Sequence, residues 1–410
     1  MGNPLLDKLK SNSKKGQWNN HLASISYSTG FSTFDYRNGY LVGVEDEKGN
    51  IIDRYPQLGI GNGNIVTIVG DTQTGKSTFF VQAAYNIVKP FKNGFVRHYD
   101  LEKTFNLTRL KNLLGISREE YNTKYSIEQN MTYMEDVLED IMEIAREKID
   151  NRKEYEYDTG KLDDFGEPII MLEPTVVLVD SIPILITKDK ADVMEGITAG
   201  GRNAIKISEF YSKITPFANA ANIIFFFVNH LKDIPQLNAF SAKKPSIPYM
   251  KANKNIPGGK TAQLLSHTIC YFEVIGKYNY EENGFDGFCD RVSFWKTRSN
   301  KAGKSCQLVF NQETGFDPVL SLYEFAKENN LIEGRNPKKY FINQKEIATF
   351  DDRILIQELR EKPEIARSLV RASVGLLNST LSTIDRKELD KLTEDIRNAE
   401  IEEAKNISNE

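Results

Sequence analysis

The stretch Ile65-Val66-Thr67-Ile68-Val69-Gly70-Asp71-Thr72-Gln73-Thr74-Gly75-Lys76-Ser77-Thr78 decides the fold. Residues 65–69 form a short β-branched run, which reads as a buried strand. Residues 78–88 read as a helix that stops before Pro90. Between them stands G-x-x-x-x-G-K-S, the Walker A pattern. A strand feeding a glycine turn and a helix N-terminus aims several backbone N–H groups at one point. The positive end of the helix dipole adds to them, and the result is a phosphate site. On this reading Gly70, Asp71, Thr72, Gln73, Thr74, Gly75, Lys76, Ser77 and Thr78 hold ATP. Lys76 reaches the β- and γ-phosphates, and the Ser77 hydroxyl ligates Mg²⁺.

Composition sets the outer limits. The 410 residues suit two or three domains, and 40% hydrophobic with 27% charged residues is ordinary for a globular protein. A formal net charge of −4 excludes a uniformly basic coat, so any nucleic-acid contact must come from a local patch. Three cysteines, Cys270, Cys289 and Cys306, are too few and scattered for a disulfide framework or a zinc site. They are expected to be buried thiols in a reducing cytoplasm. No signal-peptide core and no bilayer-spanning apolar run is read, and Leu6 spoils a myristoylation pattern. No membrane role is expected.

Downstream of the loop, residues 94–99 read as a second strand, ending in Asp100-Leu101-Glu102. Acids just beyond a strand's carboxyl end sit where open α/β sheets bind ligands. Glu102 is the candidate base that positions water. Residues 174–181 give a Walker B candidate, a fully apolar strand ending in Asp180, which would hold the Mg²⁺-bound water. Residues 223–228 form the next buried strand, with Asn229-His230 emerging at the same edge; His230 is also readable as a loop histidine satisfied by backbone.

Helices are expected over 127–149, 205–217 and 319–329, hairpins over 41–55 and 154–168, antiparallel strands at the sheet edge over 268–274 and 292–296, and one more strand over 307–310. Ser32 and Asp35 stand at capping-box spacing. Residues 231–260 carry Lys232, Lys243, Lys244, Lys251, Lys254 and Lys260 against the single acid Asp233, with Phe240 and Tyr249 interleaved. Such a loop offers lysines to phosphates and rings to bases, or is simply a solvated linker. Lys296-Thr297-Arg298 leaves its strand as a basic turn, which on charge alone reads as a protected sheet edge. From residue 331 the pattern turns to helices over 345–360, 365–377 and 382–405 with an acid-rich end.

In this order the motifs resemble the RecA family of strand-exchange recombinases, its phage members most of all, over residues 27–325. The resemblance makes Glu102 the activator of water, with Lys76 beside it, and Asn229 the sensor of the γ-phosphate. It makes Lys296 and Arg298 the cations that reach a neighbouring subunit's ATP. Residues 196–202, ending in Arg202, resemble the first DNA-binding loop, and residues 231–259 the second. Leu5-Leu6-Asp7-Lys8-Leu9-Lys10 resembles the helix that links protomers. Where the family stacks an aromatic on adenine, this chain has Thr108-Arg109-Leu110, so the adenine contact is unassigned.

The expected architecture is α/β: a linker and helix over 1–28, a RecA-like core with a mostly parallel sheet over 29–330, and a small helical region over 331–410. The expected function is a DNA-dependent ATPase that forms a helical homo-oligomer on single-stranded DNA and pairs it with homologous double-stranded DNA. A single-strand-binding protein and a mediator are the expected accessory partners. Two alternatives stay open: a ring helicase of the DnaB type, and a scaffold that uses ATP only as a switch.

Overall fold

The computed structural model describes residues 24–188, 199–233, 245, 247–280, 285–336, 339–342, 345–348, 357–359, 361–378 and 381. Its centre is a nine-stranded sheet. In chain order the strands are β1 (Ile65–Gly70), β2 (Phe95–Asp100), β3 (Tyr125–Glu128), β4 (Thr175–Asp180), β5 (Ile223–His230), β6 (Thr268–Tyr280), β7 (Phe285–Lys296), β8 (Ser305–Asn311) and β9 (Gly315–Asp317). They lie side by side as β9-β8-β7-β6-β1-β5-β4-β2-β3. Every pair from β6 through β1, β5, β4 and β2 to β3 is parallel, so residues 268–274 lie inside the sheet and not at its edge as expected, and β7, β8 and β9 add on antiparallel. The chain is therefore a mixed α/β protein built on one large, mostly parallel sheet.

The sequence explains the parallel part. Ile65–Gly70 and Thr175–Asp180 are buried along their whole length, as strands covered on both faces must be. One face packs on α1 (Lys76–Val88), where Phe80 stacks on Phe226 with ring centroids 4.3 Å apart. The other packs on α2 (Met134–Asp150) and α3 (Ala199–Ala220), with Val137, Ile141, Tyr211 and Ile214 against Val177 and Phe227. Each such buried ring contributes about 1.5–3 kcal/mol by area, and a well-placed ring pair about 0.5–1.5 kcal/mol more.

Both expected hairpins are present, as Tyr40–Glu45 with Ile51–Gln57 and Glu156–Leu162 with Pro168–Leu172. They lie against each other: the Tyr55 hydroxyl donates to the Leu162 carbonyl at 2.6 Å, and the Glu45 N–H to that of Asp164 at 2.9 Å. The three cysteines are buried and free.

Several expectations need correction. The helix read over 127–149 begins only at Met134, and Tyr125–Glu128 is instead the edge strand β3. Ser32 and Asp35 form no capping box. Asp35 is buried and accepts from the Thr29 N–H and hydroxyl and from the Ser28 hydroxyl, so it ties down the approach to the helix rather than its first turn. The C-terminal region is not purely helical. Ile332–Asn336, Lys339–Ile342 and Lys345–Ala348 form a three-stranded antiparallel sheet, before α4 (Pro363–Asn378). The β-favouring run Tyr340-Phe341-Ile342 supplies its middle strand. Leu369 and Leu377 of α4 share a core with Leu320 and Tyr323 of the helix Pro318–Glu328. The expected helices at 4–10 and 382–405 lie outside the described residues.

Candidate functional site

The Walker A segment runs from β1 to α1 as a tight loop at the carboxyl end of the sheet. Gln73 and Gly75 both have positive φ, 61° and 66°. At Gly75 a Cβ would come within 2.7 Å of the Phe316 ring, so this position needs glycine for space as well as conformation. The Thr74 hydroxyl donates to the Asp71 carbonyl at 3.0 Å. Lys76 folds back into the loop, its Nζ on the Asp71 carbonyl and 3.3 Å from Thr74 Oγ1. It is a buried residue, only 5% exposed. Burial lowers its pKa, and the neighbouring Asp180, Asp71, Glu102 and Asp290 pull the other way.

Walker A, Glu102 and Asp180 converge on one cleft of about 680 Å³, a size suited to a nucleotide. The parallel register puts Asp180 level with Asp100, and Glu102 follows in the turn, its N–H bonded to the Asp180 carbonyl. Glu102 Oε1 accepts from the Ser181 hydroxyl at 2.8 Å and lies 3.2 Å from His230 Nε2. The His230 bond, opposed by burial and aided by Ser181, holds the Glu102 pKa below the ordinary glutamate value. Asp180 is 1% exposed, and burial pushes its pKa up to about 6. The Ser77 hydroxyl stands near enough to oppose that rise, yet neither Asp180 oxygen has a hydrogen-bond partner at acceptable geometry among the described residues. A buried carboxylate left unpaired beside a hydroxyl and a phosphate-type loop is a donor set that fits Mg²⁺.

Asn229 is buried next to this cleft. Its Nδ2 donates to the Pro257 carbonyl at 3.0 Å, so it joins the end of β5 to the end of the lysine-rich segment. Lys296 and Arg298 are elsewhere. Lys296 Nζ donates to the carbonyls of Gln263, Leu264 and Ser266, and Arg298 to that of Leu264. Together they satisfy the carboxyl end of the helix Gly259–Leu265. Burial, then Arg298, lowers the Lys296 pKa to about 8. Arg298 lines a second cleft with His267 and Thr268, at the amino ends of β1 and β6, the opposite end of the sheet from Lys76. In one subunit the two cations and the Walker loop do not meet.

The lysine-rich segment is partly built into the body. Lys232–Asp233 pairs antiparallel with Lys254–Asn255, closing its base. Ile247, Met250 and Ile256 are buried against Tyr271 and Trp295. Lys251 is held by the Tyr271 hydroxyl at 2.9 Å and Glu273 Oε1 at 2.7 Å, so it is not a free phosphate ligand. Tyr249 is exposed, as a stacking ring would need to be. Arg202 lies in the first turn of α3. Phe240, Lys243 and Lys244 lie outside the described residues.

Reading the sequence alone singles out His230 and the stretch containing Arg109 but overlooks Phe105, Phe288, Phe310 and Gln312, which line the main cleft with them. The Arg109 guanidinium lies 5.6 Å from the Phe105 ring centroid. Phe288 stacks on Phe310 at 4.5 Å. The rings come from β7 and β8, far along the chain, and only their strand alternation hinted at a shared face. No protein-family model matches this chain, and no curated protein matches it.

Proposed function

We propose that the chain is an ATPase with a RecA-like core that acts on DNA. The order of its motifs is our ground for likening it to the phage recombinase UvsX. The observation that carries this reading is the meeting of Lys76, Asp180 and Glu102 in one cleft at the carboxyl edge of a mostly parallel sheet. Lys76 would swing from the Asp71 carbonyl to the phosphates and offset their charge. Ser77 and Asp180 would hold Mg²⁺, which would supply positive charge to offset that of the phosphates. Glu102, fixed by Ser181 and His230, orients water and accepts its proton. Lys296 and Arg298 serve the ATP of an adjacent subunit, which accords with their place at the far end of the sheet. Asn229 links nucleotide state to the DNA-facing segment through Pro257.

The assembly we propose is a helical filament on single-stranded DNA that pairs it with homologous duplex. Electron microscopy with a non-hydrolysable ATP analogue, with and without single-stranded DNA, tests it. Filaments that need DNA and nucleotide are expected. Hexameric rings would replace the recombinase by a helicase, and nucleotide-dependent assembly without DNA-stimulated turnover would leave a switched scaffold.

A further inference from the structure

We propose that His98, Asp100 and Asp180 bind a divalent transition-metal cation, directly behind the Walker loop and without nucleotide. The sheet builds the cluster. Asp100 and Asp180 are register partners on the parallel strands β2 and β4, and His98 stands two residues before Asp100, on the same face. One ligand atom from each lies within 4.8 Å of the others. Donors on one ion at ~2.0–2.2 Å stand at most about 4.4 Å apart, so the cluster needs little contraction to hold one.

The three side chains are 0%, 0% and 1% exposed, and three of their polar atoms have no hydrogen-bond partner among the described residues: His98 Nε2 and both oxygens of Asp180. Leaving buried polar atoms unpaired is costly, and three at one point call for a common partner. Two buried carboxylates also place excess negative charge there. The Lys76 ammonium is bonded to Asp71 and Thr74 instead. A divalent cation answers both needs.

The surroundings are those of an oriented metal ligand set. His98 Nδ1 lies 2.9 Å from the Tyr125 hydroxyl; a proton on Nδ1 donated to it leaves a free lone pair on the buried, unpartnered Nε2. Asp100 is fixed by the Thr104 and Phe105 N–H groups and by Gln129 Nε2 at 3.1, 2.9 and 2.7 Å. One imidazole with two carboxylates favours Mn²⁺, Fe²⁺, Co²⁺ or Zn²⁺ over Mg²⁺, which prefers oxygen alone. The site shares Asp180 with the proposed nucleotide-linked Mg²⁺ but does not depend on that reading.

The test uses the full chain, stripped with chelator and free of nucleotide, titrated with Mn²⁺ and followed by electron paramagnetic resonance. One bound Mn²⁺ per chain with nitrogen-14 modulation from an imidazole is expected. His98→Gln should abolish the modulation and weaken binding by about 10- to 100-fold. Either no stoichiometric Mn²⁺ binding or bound Mn²⁺ with no nitrogen coupling overturns the proposal. The wild-type spectrum decides this even if the variant fails to fold. Because ATP is absent throughout, loss of ATP binding in a separate filter assay would count against the ATPase reading alone.

Discussion

Glu102 and His230 are 128 positions apart in the chain, yet Oε1 and Nε2 stand 3.2 Å from each other at the carboxyl edge of the sheet. The contact ties the turn after β2 to the end of β5 across β4. If Glu102 is the base, Glu102→Gln should keep ATP binding and lose about 10²- to 10⁴-fold in turnover. The His230 bond favours the ionised carboxylate, so the acid limb of the pH–rate profile should lie below the ordinary glutamate range. His230→Phe should move that limb upward. An unmoved limb would separate His230 from the titration that governs turnover.

Subunit sharing has a quantitative test. Glu102→Gln and Arg298→Ala should each be almost inactive alone. In an equal random mixture, half the sites keep Glu102 and half of their neighbours keep Arg298, so about a quarter of wild-type turnover should return. Arg298 also bonds the Leu264 carbonyl, so equal assembly of the two variants is checked by sedimentation. Co-assembly with no recovery would place both residues on the same subunit's ATP.

The lysine-rich segment should show two kinds of lysine. Lys232 is exposed at the base of the segment, and Lys232→Ala should flatten the log–log salt dependence of single-strand binding by about 0.7. Lys251 is occupied by Glu273 and Tyr271, so Lys251→Ala should leave the slope nearly unchanged. Equal slope changes in the two variants would contradict this division.

Asp290 on β7 predicts a pH dependence of stability. It is fully buried, neither oxygen has a hydrogen-bond partner among the described residues, and burial pushes its pKa up from 3.8 to about 8 against the pull of Lys76. The folded state therefore holds the proton more tightly than the unfolded state. Its contribution is most favourable below pH ~4 and is lost as pH rises toward about 8, each tenfold change in proton affinity being worth about 1.4 kcal/mol. Asp290→Asn should be more stable than wild type at pH 8.5, with the difference shrinking at pH 5. Denaturant titrations at the two pH values measure it, and a gap independent of pH would reject the assignment.

The strand–loop–helix at 65–88 and the acid ending β4 were legible because each is a local pattern: a continuous apolar run, then one polar group where the chain leaves the sheet. Tyr125–Glu128 was not, because four residues beside a long amphipathic helix carry too little periodicity to mark a strand. Lys345–Ala348 was misread for the same reason. Asp290 escaped notice because a charge in an alternating strand normally faces water, whereas here it is fully buried and close enough to Lys76 to feel its charge. His98 gave no local signal; its meaning comes from Asp180, on the neighbouring strand.

The central position of β1 has a consequence for synthesis on the ribosome. Its neighbours are β5 and β6, whose first residues are Ile223 and Thr268. After Gly70 leaves the ribosome, roughly 150 further residues must follow before the nearer partner is available, about 8–30 s at ordinary elongation rates of ~5–20 residues per second. Throughout that interval Ile65-Val66-Thr67-Ile68-Val69 is a β-branched segment with both edges open, the kind that pairs with whatever strand it meets. The nascent chain is thus a natural client for a holding chaperone until β5 is made.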